Sequence, residues 1–172
     1  MFIICSILNR ISTPLGVDYI WDMTKILCVC LGNICRSPMA QGVLQQCAAE
    51  NGLDILVDSA GTAGYHVGEQ PDHRSIAVAN KFGLDISNQK ARKITTSDFE
   101  KFNLILVMDA QNLKDVLQIA PNSKNQAKIE LYRSDLKDVE DPYYGAEKDF
   151  INMYHVLIEH APFWMNHIQL NS

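Results

Sequence analysis

The 172-residue sequence has no cysteine beyond position 47, no run of eighteen apolar residues and no surplus of positive charge. Each absence excludes a class of protein. Without a long apolar run no transmembrane helix is expected. Lys and Arg number 15 against 20 Asp and Glu, a formal charge of −5. Such a chain binds phosphate backbones poorly, so no nucleic-acid partner is expected. The five cysteines, at 5, 28, 30, 35 and 47, are odd in number and bunched. A secreted scaffold would spread and pair them, so a reducing, cytoplasmic location is expected. Cys28, Cys30 and Cys35 are close enough to suggest zinc, but no fourth Cys or His follows at ligand spacing. His155 and His160, five apart, share a helix face poorly. No metal or other cofactor is expected.

Hydrophobic residues at 47% and charged residues at 20% are ordinary for a globular domain, and the length suits one core without disulfides. Repeats and low-complexity tracts are missing. The opening MFIICSIL lacks a basic flank and a clear cleavage site, which makes it a weak signal peptide. A second Met stands at 23, just before a strand pattern. The compact domain is therefore expected over 23–172, with 1–22 as an appended extension or an upstream start that the cell does not use.

Strand and helix patterns alternate from there. Strands are expected at Lys25–Cys30, Asp54–Val57, Asn103–Met108 and Lys128–Leu131. Helices are expected at Pro38–Asn51, His73–Phe82, Gln111–Ile119 and Glu147–Ile168, the last kinked or restarted by Pro162. This order predicts an α/β fold, a parallel sheet with helices on both faces. Ligands of such folds sit beyond the carboxyl ends of the strands.

At the end of the first strand stands Cys30-Leu31-Gly32-Asn33-Ile34-Cys35-Arg36-Ser37-Pro38. Ser37 suits a helix cap and Pro38 a first helical position. Gly32 and Asn33 tolerate left-handed backbone, which lets a loop turn its N–H groups inward around an anion. The helix dipole points into the same space, and Arg36 adds a planar fork for phosphate oxygens. That field favours a thiolate on Cys30, a nucleophile at the floor of a phosphate cradle. The Gly-Lys-[Ser/Thr] ending of a Walker loop is missing. Cys28, one pleat back, should be packed. Cys35 suits either a small residue filling the loop or a resolving thiol that traps oxidised Cys30. The acid needed by a leaving alkoxide or phenolate is expected from Asp141, in Asp141-Pro142-Tyr143-Tyr144-Gly145, where the two tyrosines can wall a slot for a flat substrate.

The stretches VCLGNICRSPMA, VDSAGT at 57–62 and EDPYYG at 140–145 closely resemble low-molecular-weight protein-tyrosine phosphatases in order and spacing. The resemblance runs from about Lys25 to the final helix. It implies a four-stranded, doubly wound, flavodoxin-like sheet and hydrolysis of phosphotyrosine through a phosphocysteine. Phosphotyrosine proteins would be the substrates and inorganic phosphate the product. By position it implies Cys30 as nucleophile, with Arg36 and the N–H groups of residues 31–36 on the phosphoryl oxygens. Asp141 would be acid, then base. Ser37 would donate to the Cys30 sulfur, and Asn33 would hold the strained turn with Ser59 bonded to it. Leu31, Tyr65, Tyr143 and Tyr144 would line the slot.

One position departs from the family. Where many relatives carry His, this chain has Gln89, which can hydrogen bond but cannot become cationic, so the support around Ser37 and Asn33 is expected to differ. The remaining histidines are read as uninvolved. Three other functions compete. Arsenate reduction needs downstream cysteines that this chain lacks. Phosphoarginine hydrolysis is found in relatives with Thr in place of Ile34. A non-catalytic phosphate-binding or redox module on Cys30 and Cys35 would have no use for Asp141.

Overall fold

The computed structural model describes residues 23–171. The expected extension over 1–22, Cys5 within it, lies outside the described residues. Four strands and six helices follow one another: β1 (Thr24–Cys30), α1 (Arg36–Glu50), β2 (Ile55–Gly61), α2 (His73–Lys81), α3 (Asp98–Lys101), β3 (Leu104–Val107), α4 (Ala110–Ile119), α5 (Ser123–Gln126), β4 (Ile129–Leu131) and α6 (Glu147–Asn171). The sheet is parallel throughout, in the order β2-β1-β3-β4. It is the α/β architecture expected from the alternation of patterns.

The two-residue period of β1 sorts its side chains between two cores. Ile26, Cys28 and Cys30 face one layer with Met39, Val43 and Leu44 of α1 and Leu157 and Trp164 of α6. Leu27 and Val29 face the other, with Phe99, Ile105, Val107 and Val116. Both faces of β1 and β3 are thus covered, which is why these strands are apolar without alternation. Cys30 ends the central run on the α1 side, at the carboxyl edge of the sheet.

Two expectations need correction, and for Pro162 one of the two alternatives, a restart, is excluded. Helix α1 starts at Arg36 with Cys35 in the capping position, so Ser37 and Pro38 lie inside the first turn. Pro38 fits there because early helical N–H groups have no intrahelical acceptor. Gly32 does not take a left-handed conformation; Asn33 does, with φ 57°. Helix α6 runs on through Pro162 without a restart. Ala161, Trp164 and Met165 on either side of it are buried, and that packing outweighs the lost donor.

Candidate active site

Cys30 is carried to the floor of a cavity of about 280 Å³. Its walls are Leu31, Gly32, Ile34, Cys35, Arg36, Tyr65, His66, Asp141, Tyr143 and Tyr144. Sulfur and guanidinium therefore face the same space. Asn33, Ser37 and Ser59 are buried behind it rather than lining it.

Those three form the loop's internal frame. Asn33 Nδ2 donates to Ser37 Oγ and to Ser59 Oγ, each at 2.9 Å, while Asn33 Oδ1 accepts from Arg92 N at 2.9 Å. This arrangement fixes the amide's orientation and holds Asn33 in its left-handed turn. Ser59 passes its own proton to Gln41 Oε1 at 2.7 Å. Ser37 Oγ lies 3.0 Å from Cys30 Sγ and 3.3 Å from Ala60 O. Ser37 Oγ accepts from Asn33 and has one proton to place between Ala60 O and the sulfur. Asn33 N also donates to Cys30 Sγ, at 3.2 Å. One backbone donor and one hydroxyl thus meet the sulfur, and the start of α1 points at the same loop. Gly61 is required beside this frame, since a Cβ on it would lie 2.7 Å from Leu31 O.

Gln89 does not enter the frame. Its Nε2 donates to Pro38 O at 3.1 Å, and Asn33 is satisfied without it. The chain's departure from His at this position leaves the Asn33–Ser37–Ser59 connections complete.

Arg36 is 3% exposed and held on two sides. Nη1 donates to Asp109 Oδ2 at 2.5 Å and to Val139 O at 3.2 Å; Nη2 donates to Asp141 Oδ2 at 2.7 Å. Burial disfavours its charge, but Cys30, Asp141 and Asp109 outweigh burial and raise its pKa. Nε is buried without a partner, a donor left over for a ligand. Asp109 was not anticipated from the sequence. One of its oxygens caps α4 through Asn112 N at 2.6 Å and the other fixes Arg36. Its place directly beyond β3, at the carboxyl edge beside β1, was the available signal.

Cys28 is fully buried, and burial, then Asp58 and Cys30, push its thiol far up. In Cys35 burial, followed by Asp72, Cys30 and Asp141, pushes the pKa up to about 12. His66, read from sequence as uninvolved, stands in the cavity wall with Nδ1 2.8 Å from Glu69 Oε2. Leu31, Tyr65 and Tyr144 are exposed at the mouth, Tyr144 almost fully. Among the described residues no cluster of His, Cys, Asp or Glu could hold a metal ion.

The model of the family "Low molecular weight phosphotyrosine protein phosphatase" matches residues 25–172. A protein of that name from Schizosaccharomyces pombe is 40% identical over 148 residues, 80% of this chain and 94% of that protein. An Entamoeba histolytica protein tyrosine phosphatase, crystallised with Hepes in its active site, superposes with TM-score 0.82 at 34% identity. It covers 86% of this chain and 98% of its own. The Wzb protein of Vibrio vulnificus, in complex with benzylphosphonate, superposes with TM-score 0.78 at 32% identity, covering 85% and 99%.

Proposed function

The chain belongs to the low molecular weight phosphotyrosine protein phosphatase family and is a protein-tyrosine phosphatase, and from that premise we propose how its residues divide the work. The observation that carries the proposal is the single cavity holding Cys30, Arg36 and Asp141. The phosphoryl dianion sits in the loop, its oxygens on the inward N–H groups of residues 31–36 and on Arg36, whose unpartnered Nε adds a donor. Asn33 N is the exception, being turned to the sulfur. Cys30 Sγ attacks phosphorus in line. The S–P bond forms as the P–O bond to the aryl group breaks, and Asp141 gives its proton to the departing phenolate. Asp141 then takes a proton from water, which attacks the phosphocysteine and releases inorganic phosphate and the thiolate.

The depth of the sulfur favours tyrosine. Cys30 is 3% exposed, under walls of Leu31, Ile34, Tyr65, Tyr143 and Tyr144. A phosphoryl group reaches it on a long flat arm that those walls grip, and a phosphoserine arm is too short. Cys35 is the second thiol of the cavity. When a peroxide oxidises the Cys30 thiolate to a sulfenic acid, Cys35 condenses with it to a disulfide and expels water. A reducing cytoplasm, which the unpaired cysteines suit, would keep the pair open. Among the described residues no helix is long and apolar enough to cross a membrane.

A panel of phosphotyrosine, phosphoserine and phosphoarginine peptides, with arsenate as a further substrate, tests the assignment. Only the phosphotyrosine peptide is expected to turn over. Preferred release of phosphate from phosphoarginine, or reduction of arsenate, overturns it.

Asp109→Asn checks the Arg36 assignment. The amide keeps an oxygen for the α4 cap but loses the charge that fixes the guanidinium. An about 10-fold or larger fall in kcat/KM on aryl phosphates is expected from the loosened fork. Unchanged kinetics and phosphate inhibition would show that Arg36 is set by other contacts.

A further inference from the structure

The phosphate loop and the acid turn come from chain segments 105 residues apart, joined at the cavity by Arg36 and Asp141. A second tie runs outside the cavity. Asp72, the cap of α2, donates its backbone N–H to Ile34 O in the phosphate loop at 2.8 Å. Its carboxylate accepts three bonds from Arg74: N at 2.8 Å and Nε at 2.9 Å on Oδ1, and Nη2 at 2.8 Å on Oδ2. The third guanidinium nitrogen, Nη1, donates to Gly145 O at 3.3 Å. The same guanidinium lies 4.5 Å from the ring centroid of Phe150 and 5.8 Å from that of Tyr143. One rigid fork therefore touches the residue that hangs from the phosphate loop, the middle of the acid turn and the first turn of α6. The far end of the acid turn is also fixed, because Asp149 Oδ2 accepts from Ala146 N at 2.7 Å and crowds Gly145.

We infer that Arg74 is a positioning residue for catalysis: it sets the acid turn, and with it Asp141, against the phosphate loop. The role presupposes Asp141 as the general acid. Arg74 itself is not in the cavity wall. Its planar fork suits the work, with one edge bidentate on Asp72, a further N–H on Gly145 and a face on the aromatic rings. A lysine keeps the charge but cannot make these contacts together. Plain packing glue between α2 and α6 is the competing role, and it has no reason to discriminate between leaving groups.

The test uses the full chain and three variants: Arg74→Met, Asp141→Asn and the two combined. kcat/KM is read on phenyl phosphate, a poor leaving group, and on 2,4-dinitrophenyl phosphate, a good one. Arg74→Met is expected to lose about 10-fold on the first and less than about 2-fold on the second, with phosphate inhibition unchanged. In the Asp141→Asn background it should add no further loss on phenyl phosphate, since both changes act through one proton transfer. If Arg74→Met does not fold, Arg74→Lys replaces it and is expected to show the same pattern at smaller amplitude. Equal losses on both substrates, or a fully additive double variant, overturns the positioning role and leaves Asp141 as the acid. If Asp141→Asn alone fails to discriminate between the substrates, the acid assignment falls and the role of Arg74 with it.

Discussion

Cys30→Ser is expected to reduce turnover of an aryl phosphate by about 10⁴-fold or more while leaving phosphate binding in place. The substitution is nearly isosteric, and residue 30 is buried at the end of β1, so the loop has no reason to rearrange. The hydroxyl inherits the contacts of the sulfur with Asn33 N and Ser37 Oγ. What it cannot inherit is ionisation. An alcohol needs a base to become a nucleophile, and the polar contacts of this position are an amide N–H and a hydroxyl, neither of them basic. The anion cradle is untouched, and one negative charge has gone from its floor. Phosphate should therefore bind as well as in the wild type, or more tightly. Steady-state kinetics on phenyl phosphate and a titration with inorganic phosphate check both halves. Wild-type turnover in the variant removes Cys30 as nucleophile, whereas a joint loss of turnover and binding means that the loop has collapsed.

The parts of this site legible from sequence are those set by local chemistry. A thiol ending a buried strand, a loop with Asn at its turn and an Arg at the next helix start lie within seven residues of one another. Backbone preferences and the helix dipole act over that range. Asp141 was legible only as a candidate for the acid that the proposed mechanism needs, and through the EDPYYG resemblance. Asp109, Gln41 and Arg74 went unread because the contacts that matter here are remote: Asp109 meets Arg36 across 73 residues, Gln41 meets Ser59 across 18 and Arg74 meets Gly145 across 71. No periodicity encodes such pairs; the sheet order creates them. Ser37 was misplaced as a cap for a related reason. Ser is a strong capping residue locally, but here its hydroxyl is claimed by Cys30 and Asn33. The fold was legible in its long elements. The four-residue helices α3 and α5 carry too little pattern, and β2 runs on through Asp58-Ser59-Ala60-Gly61. That run looks like a loop, yet it pairs in register with Leu27–Cys30 at the sheet's edge, where polar side chains are tolerated.

Asp141→Asn should separate substrates by leaving group. Tyrosine's phenol has a pKa near 10, so its phenolate leaves badly unless protonated as the P–O bond breaks. On phenyl phosphate the variant should lose about 10²–10⁴-fold in kcat/KM, the range a positioned acid supplies. On 2,4-dinitrophenyl phosphate, whose phenolate needs no proton, the loss should stay below about 10-fold. A rival explanation must be kept apart, because Asp141 also accepts from Arg36 Nη2 at 2.7 Å. If its work were only to orient the guanidinium, both substrates would suffer equally and phosphate would bind more weakly. If it is the acid, the amide removes a carboxylate that competes with the dianion for Arg36, and phosphate should bind more tightly. Asp109 and Val139 still hold Nη1 in the variant, so the fork stays in place for that measurement. Opposite signs in phosphate affinity thus distinguish two roles that loss of activity alone would confuse. A uniform loss together with weaker phosphate binding would move Asp141 from acid to scaffold.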